Sequence, residues 1–452
     1  MRLLSPLPAR PIVDLIEQHV EDAALHWLRR QRAIEAPHYF FKNHIGEPGG
    51  DLGHLDRRLQ AHLDGARLAG DLAWQIARDL LTTGDPPELF VASILALQPF
   101  DPARLDTVLA AALAEPAAAR GLTSALGWLP FADIEPLARH LAEADAPPLR
   151  AIGLAAFALH RREPPALLAA LHDPAPEPRR RALKAVGELA RRDLLPILRD
   201  HLTDPDPLAR HHAAVSAALL GDPRGTERLF ALALDPPEPR LADQAIRLAA
   251  RRLPLSAIAP WAIHSLGENN PHSRLAIAAL ADAGDPAQIA HLLHTLTSPP
   301  LARLAAAAIT QITGIDLGEY GLEGPPPSED VSTFPRDDPD DDQLDLDPDD
   351  DLPWPDPEAL ARRWWPAYLE TCPSGQPLLL GRPRTIPALT NVLRTAAQPH
   401  RLAAAHHLLA LQPGSPLFDH RAPAHRQIQA LTLKCEIFKS TNTTKSLSQS
   451  PP

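Results

Sequence analysis

Ten aspartates occupy the fifteen positions 337–351, DDPDDDQLDLDPDDD. Carboxylates at that density are the ligands a hard cation such as calcium takes. A calcium loop, however, alternates its carboxylates and needs Gly at its sixth position and Glu at its twelfth. Counted from Asp345, the sixth position is Asp350 and the twelfth is Asp356. The run also continues a Pro- and acid-rich stretch, EGPPPSEDVSTFPRDDPD (323–340), with little apolar content. Such a segment repels itself and stays extended. The spacing therefore predicts a disordered tether and not a metal site.

The other residues that could do chemistry are histidines, arginines and a tryptophan pair. His38, His44, His54 and His62 flank a Gly-rich loop, but their spacings of 6, 10 and 8 match no zinc pattern and no cysteine joins them. His19 and Glu21 stand two apart on a predicted helix and face different ways, which makes a poor acid–base pair. The adjacent pairs His211-His212 and His406-His407 are expected on helix surfaces. There is no His-Glu dipeptide for iron, no GxSxG, no P-loop and no GxGxxG after a strand. No catalytic residue, cofactor or metal follows, and the chain is expected not to be an enzyme.

Seven arginines recur at separations of 30, 31, 29, 30, 34 and 29 residues: Arg120, Arg150, Arg181, Arg210, Arg240, Arg274 and Arg303. They either line one ridge facing an anionic partner or pair within the fold with aspartates such as Asp173, Asp204 and Asp222 and with helix-end carbonyls. The repeat region holds near-equal acids and bases, which favours the internal role. Trp364 and Trp365 follow PDPEALARR (355–363) and, on one α-helix, would diverge by about 100°. Both pack against separate surfaces, or one docks on the array and the other meets a partner; they are the candidate partner contact.

The elements that must position these residues are helices. Each of the seven arginines leads an Ala/Leu segment, as in ARHHAAVSAAL (209–219), and each unit adds a second apolar segment with i, i+3, i+4, i+7 spacing, as in Leu194, Ile197, Leu198 and Leu202. Asp-Pro pairs at 173–174, 204–205, 222–223, 235–236 and 285–286 punctuate the helices, Asp as an N-cap and Pro at the first helical position. A helix pair of about 30 residues cannot bury its apolar face alone, so successive pairs stack. The expected class is an all-α solenoid. Its divisions are a helical N-terminal cap over 1–103, repeats over 104–314, an acidic linker over 315–352, a helical C-terminal region over 353–433 and a disordered tail over 434–452.

Composition agrees. Apolar residues make 45% of 452 but aromatics only 4%, which suits helices packed through small side chains. Two isolated cysteines, Cys372 and Cys435, form no disulfide framework, and a reducing cytoplasm is the expected compartment. No signal peptide or membrane span is evident. Residues 316–358 carry 17 acids and one base, a local charge of −16, which leaves +4 on the rest of a chain of net −12. A nearly neutral array offers no general electrostatic case for nucleic acid.

The stretch DPDPLARHHAAVSAALLGDPRGTERLFALALDPP (204–237) looks like a HEAT or HEAT-like repeat. The segments EQHVEDAALHWLRR (17–30), APHY (36–39), LDRRLQAHLDGARLAG (55–70), PDPEALARRWW (355–365) and LLLGRP (378–383) resemble an uncharacterised bacterial HEAT-repeat family. That resemblance covers most of 11–431, and genes of the family often sit near type VI secretion components. It implies a scaffold or adaptor for a protein partner, a secretion component or its cargo. The competing readings are an enzyme or nucleic-acid binder in the solenoid groove, bilin-lyase-like or glycosylase-like, and a toxin-paired immunity or regulatory protein.

Overall fold

The computed structural model describes residues 12–35, 50–327, 349–372 and 375–432. The core of the expected tether (328–348), His38, His44 and the expected tail at 434–452 lie outside the described residues. The fold is all-α, an α-solenoid of stacked helix pairs. It divides into two compact units, residues 1–185 with 419–452, and residues 186–418.

The first unit holds α1 (Val13–Glu35), α2 (Gly50–Ala69), α3 (Asp71–Leu80), α4 (Pro86–Leu97), α5 (Pro102–Ala114), α6 (Ala119–Trp128), α7 (Phe131–Ala142), α8 (Pro147–Leu159) and α9 (Leu167–Leu171), and α10 (Pro176–Glu188) leads out of it. Helices α4, α6 and α8 stack in one layer, with α5 behind α4 and α7 against α8, while α1 packs on α2 and α4. Helix pairing thus begins at α4, earlier than the expected repeat start at 104. Asp85-Pro86 carries the same opening signal as the later pairs, but α4 has no arginine to mark its phase. Every residue from Leu89 to Leu97 is buried. Trp27 stacks on Phe90 at 5.8 Å, and Phe90 meets Trp128 edge-on at 6.2 Å. The Trp128 indole N–H donates to Gln60 at 3.0 Å, so this ring fills a gap and keeps its polar atom satisfied.

Small residues set the stacking distance. A Cβ at Gly121 would stand 2.2 Å from the Pro86 carbonyl oxygen, and one at Gly153 would stand 2.3 Å from the Ala142 nitrogen. Helix α6 therefore closes on α4, and α8 on its pair partner α7, backbone to backbone, which no side-chain rotation can relieve.

The second unit continues with α11 (Leu195–Asp200), α12 (Pro207–Leu219), α13 (Pro223–Leu234), α14 (Leu241–Ala250), α15 (Leu255–Ser265), α16 (Ser273–Ala283), α17 (Ile289–Thr295) and α18 (Pro299–Thr313). Here α12, α14, α16 and α18 form the stacked layer. Asp222 and Asp285 cap their helices by accepting from Gly225 and Ala287. At α12 the cap is Asp206, which accepts from Ala209, whereas Asp204 braces the turn by accepting from the Asp206 N–H at 2.9 Å.

The chain then returns to this unit. It adds α19 (Trp365–Thr371), a two-stranded hairpin of β1 (Leu378–Leu379) and β2 (Arg382–Pro383), α20 (Ile386–Thr395) and α21 (Gln398–Leu411). The last two helices pair, and α21 touches α12. No strand is expected from the sequence, and the hairpin has a local purpose. A helix leaves its last carbonyls without partners. Leu378 donates to Gly284 O at 2.8 Å, Leu380 to Gln311 O at 2.8 Å and Gly381 to Ile312 O at 2.9 Å, at the ends of α16 and α18. Both margins of the expected linker at 315–352 are ordered. Ile315, Leu317 and Leu322 are buried, and Glu323 bridges to Pro355. The few apolar residues at that end give it something to bury.

Replacing Gly153 by Ala places a methyl against backbone that cannot yield. Urea unfolding of Gly153→Ala is expected to show a loss of about 1–3 kcal/mol, with helix content unchanged before the transition.

Candidate functional site

The arginine series does not form a single ridge. Arg150 makes a two-point pair with Asp173 at 2.8 and 3.0 Å, and its other nitrogen donates to the carbonyls of Ala144 and Asp145. Burial opposes ionisation of Asp173, but Arg150 and the Ala175 N–H hold it below the usual carboxylate range. Arg210 donates in the same way to Asp204 O and Pro205 O, at 2.6 and 3.2 Å. In α10 the equivalent turn carbonyls, Asp173 and Pro174, accept from Arg179. The recurring device is a guanidinium reaching back six and five residues to the turn that precedes its helix. Counting from the Asp-Pro turns, not between arginines, would have selected Arg179.

The remaining members diverge. Arg120 stands over the Trp27 ring at 5.8 Å. Arg240 precedes α14, is exposed and pairs with Glu238. Arg274 forms a two-point pair with Asp349 at 2.6 and 2.7 Å, so one member of the aspartate run serves as an internal counter-ion. Arg303 is buried and lies 4.4 Å from the Trp354 ring centre.

Trp364 and Trp365 sit at the join of a π-helix and α19 and not on one regular α-helix. Residues Ala359–Trp364 form a π-helix, in which the Trp365 N–H reaches Leu360 O. Pro366 follows, with no N–H for the next bond and a ring that would press on the Arg362 carbonyl. The wider i→i+5 turn reduces the angle between successive side chains. The two indoles lie 6.2 Å apart, and Tyr368 stacks on them at 4.9 and 6.1 Å. All three rings are half-buried, while Leu369 and Tyr320 are 55% and 62% exposed. Arg363 ties the Tyr320 and Gly321 carbonyls to this helix. The result is one aromatic surface flanked by Arg362 and Arg363.

A buried charge network in the second unit has no counterpart in the sequence reading. Asp282, 1% exposed, accepts from Arg251 at 2.7 Å, Arg247 at 3.1 Å and Gln311 at 2.9 Å. Burial opposes its ionisation, but Arg251 and Arg247 hold it below the usual carboxylate range. Arg384 of the C-terminal region donates to the carbonyls of Asp282 and Ala283, and Arg252 to those of Leu219 and His406. Burial lowers both guanidiniums to about 10; Asp282 partly counters this at Arg384, and Arg251 adds to it at Arg252. His406 Nδ1 accepts from the Arg251 guanidinium at 2.8 Å. The surface placement expected for His211, His406 and His407 is therefore corrected: all three are buried. Burial, followed by Arg384, Arg251 and Arg252, pushes His407 well below its ordinary value. His400 falls to about 4, chiefly by burial.

In the first unit the histidines regroup. His62 of α2 meets His19 of α1 at 3.2 Å between Nδ1 atoms, and Asp22 stands 3.7 Å from His62. Among the described residues no three ligating side chains gather to hold a metal, and no helix is long and apolar enough to cross a membrane. Residues 164–250 match the family described as HEAT repeats. No curated protein matches the chain.

Two outcomes follow from the network. Asp282→Asn leaves the buried Arg251 without its carboxylate and Arg247 with Asp243 alone, and denaturant unfolding is expected to show a loss of about 3–5 kcal/mol. His400 binds its proton less readily folded, at about 4, than unfolded, at about 6.5. The unfolded state thus holds more protons between those values, so stability is full above pH 6.5 and falls as pH drops toward 4. Melting temperatures of wild type and His400→Gln across that window are expected to converge at low pH.

Proposed function

We propose that this protein is a non-enzymatic scaffold that binds a protein partner, and that Trp364, Trp365 and Tyr368 form the contact. The observation that carries the reading is the aromatic surface itself. Three rings are gathered by a π-helix, half-exposed and flanked by arginines, on a chain whose central repeats match a family commonly used for protein interaction. Tryptophan, tyrosine and arginine are the residues that dominate binding energy at protein interfaces. The HEAT-like match supports the same reading, because stacked repeats present extended surfaces. The resemblance noted above extends it to an accessory of a type VI secretion apparatus, acting in the cytoplasm on a component or cargo.

The test is affinity capture from the native cell with the intact chain, beside a Trp364→Ala/Trp365→Ala variant of unchanged helix content. A protein held by wild type is expected to bind the variant at least about 30-fold more weakly, the effect of losing one interface hot spot. Equal capture by both chains removes the aromatic contact. Salt-sensitive recovery of nucleic acid in place of a protein overturns the scaffold.

A further inference from the structure

The first unit receives the last described stretch of its own chain, residues 419–432, in a way that depends little on side-chain identity. Arg30 of α1 and Asp56 of α2 are buried and bonded to each other at 2.6 Å. Arg30 donates to two main-chain carbonyls, Arg421 O and Ala422 O, each at 3.0 Å. Asp56 accepts from the main-chain N–H of Ala424 at 2.6 Å, the first residue of a helix over 424–432. A carboxylate at that place does what an N-cap does, but it comes from another element. The incoming residues at the clamp are small, Ala422, Pro423 and Ala424, and all are buried.

Two further contacts fasten the segment. Asp419 lies 3.8 Å from Arg161, and Arg426 reaches His160 at 2.7 Å and the Gly127 carbonyl. The second fastening is costly. Burial lowers the Arg426 guanidinium to about 10, partly countered by Asp419, and His160 falls to about 4 by burial and then by Arg426. The clamp, by contrast, is bonded within itself and needs no occupant to satisfy its charge.

We infer that Arg30 and Asp56 form a receptor for the start of a short helix, which the chain fills with residues 419–432 and from which a partner helix of the same chemistry displaces it. That chemistry is an acidic residue, a turn, small Ala or Pro residues entering the helix, and a basic residue in its first turn. The main chain supplies the recognised atoms, so any segment with this backbone and small side chains satisfies the clamp. The inference rests on the reading of the chain as a protein-binding scaffold, but on residues other than the tryptophans.

The probe is a labelled synthetic peptide carrying residues 419–432, titrated by fluorescence anisotropy into the full chain. The comparison is Asp419→Ala/Arg426→Ala, with hydrogen exchange reporting release of the chain's own segment. Faster exchange over 419–432 and peptide binding at least tenfold tighter than to wild type are expected. A peptide carrying Ala424→Pro lacks the N–H for Asp56 and is expected to lose that binding, with the protein itself unaltered. Unchanged exchange, released segment without peptide binding, or equal binding of the proline peptide each overturns the receptor. Trp364→Ala/Trp365→Ala is expected to leave the peptide affinity unchanged, so failure of the aromatic contact is read separately.

Discussion

Backbone-to-backbone closure between packed helices is the constraint from which the rest of the architecture follows. Where Gly121 meets Pro86 and Gly153 meets Ala142, no room remains for a side chain. Buried alanines line the stacked helices of the second unit, as in α12 and α16. A layer this tight excludes long side chains from its interior and leaves them at the ends of helices. Those ends are also where unpartnered carbonyls accumulate. Arginine suits the position because its planar fork reaches several acceptors at once while its stem lies along apolar surface. Arg150, Arg179 and Arg210 each satisfy the turn before their own helix, and Arg150 ties that turn to the next one through Asp173. Stacking and turn chemistry are thus two consequences of one distance.

The C-terminal region meets the second unit under different rules. Besides burying apolar residues such as Leu378 and Leu408, it brings Arg384 and His406 to the ends of α14 and α16, beside Asp282. Burying charge in this way is not an efficient source of stability. It does make docking selective, because a shifted α20–α21 pair would leave several guanidiniums without acceptors. The hairpin follows the same logic with main-chain atoms, since Leu378, Leu380 and Gly381 donate to the carbonyls of Gly284, Gln311 and Ile312.

Local physics was readable from the residues; long-range pairing was not. The period near 30, the Asp-Pro signals and the small-residue rows are properties of contiguous segments, and Asp222 and Asp285 cap as their sequence context implies. Arg30 with Ala422, Asp56 with Ala424, and Arg251 with His406 join positions separated by 155 to 392 residues, and no periodicity encodes them. The buried histidines were misplaced for that reason: the face of α21 that looks polar in isolation is covered by arginines from another helix pair. The tryptophan pair shows a subtler gap. The α-helical angle does not apply to Ala359–Trp364, a π-helix that Pro366 follows at the start of α19, and this changes which rings share a surface.

The fate of the arginines bears on what the array is able to bind. A guanidinium that contacts phosphate must first leave its present acceptors. For Arg150 or Arg274 that means breaking a two-point pair with Asp173 or Asp349, both mostly buried. Loss of that pairing opposes release of the guanidinium. Arg240 is free of that cost but stands exposed beside Glu238. Positive charge in this protein is committed to its own carbonyls and carboxylates, and the surplus acid lies in one segment outside the repeats. That distribution is why the proposed contact rests on aromatic area and main-chain geometry and not on net charge.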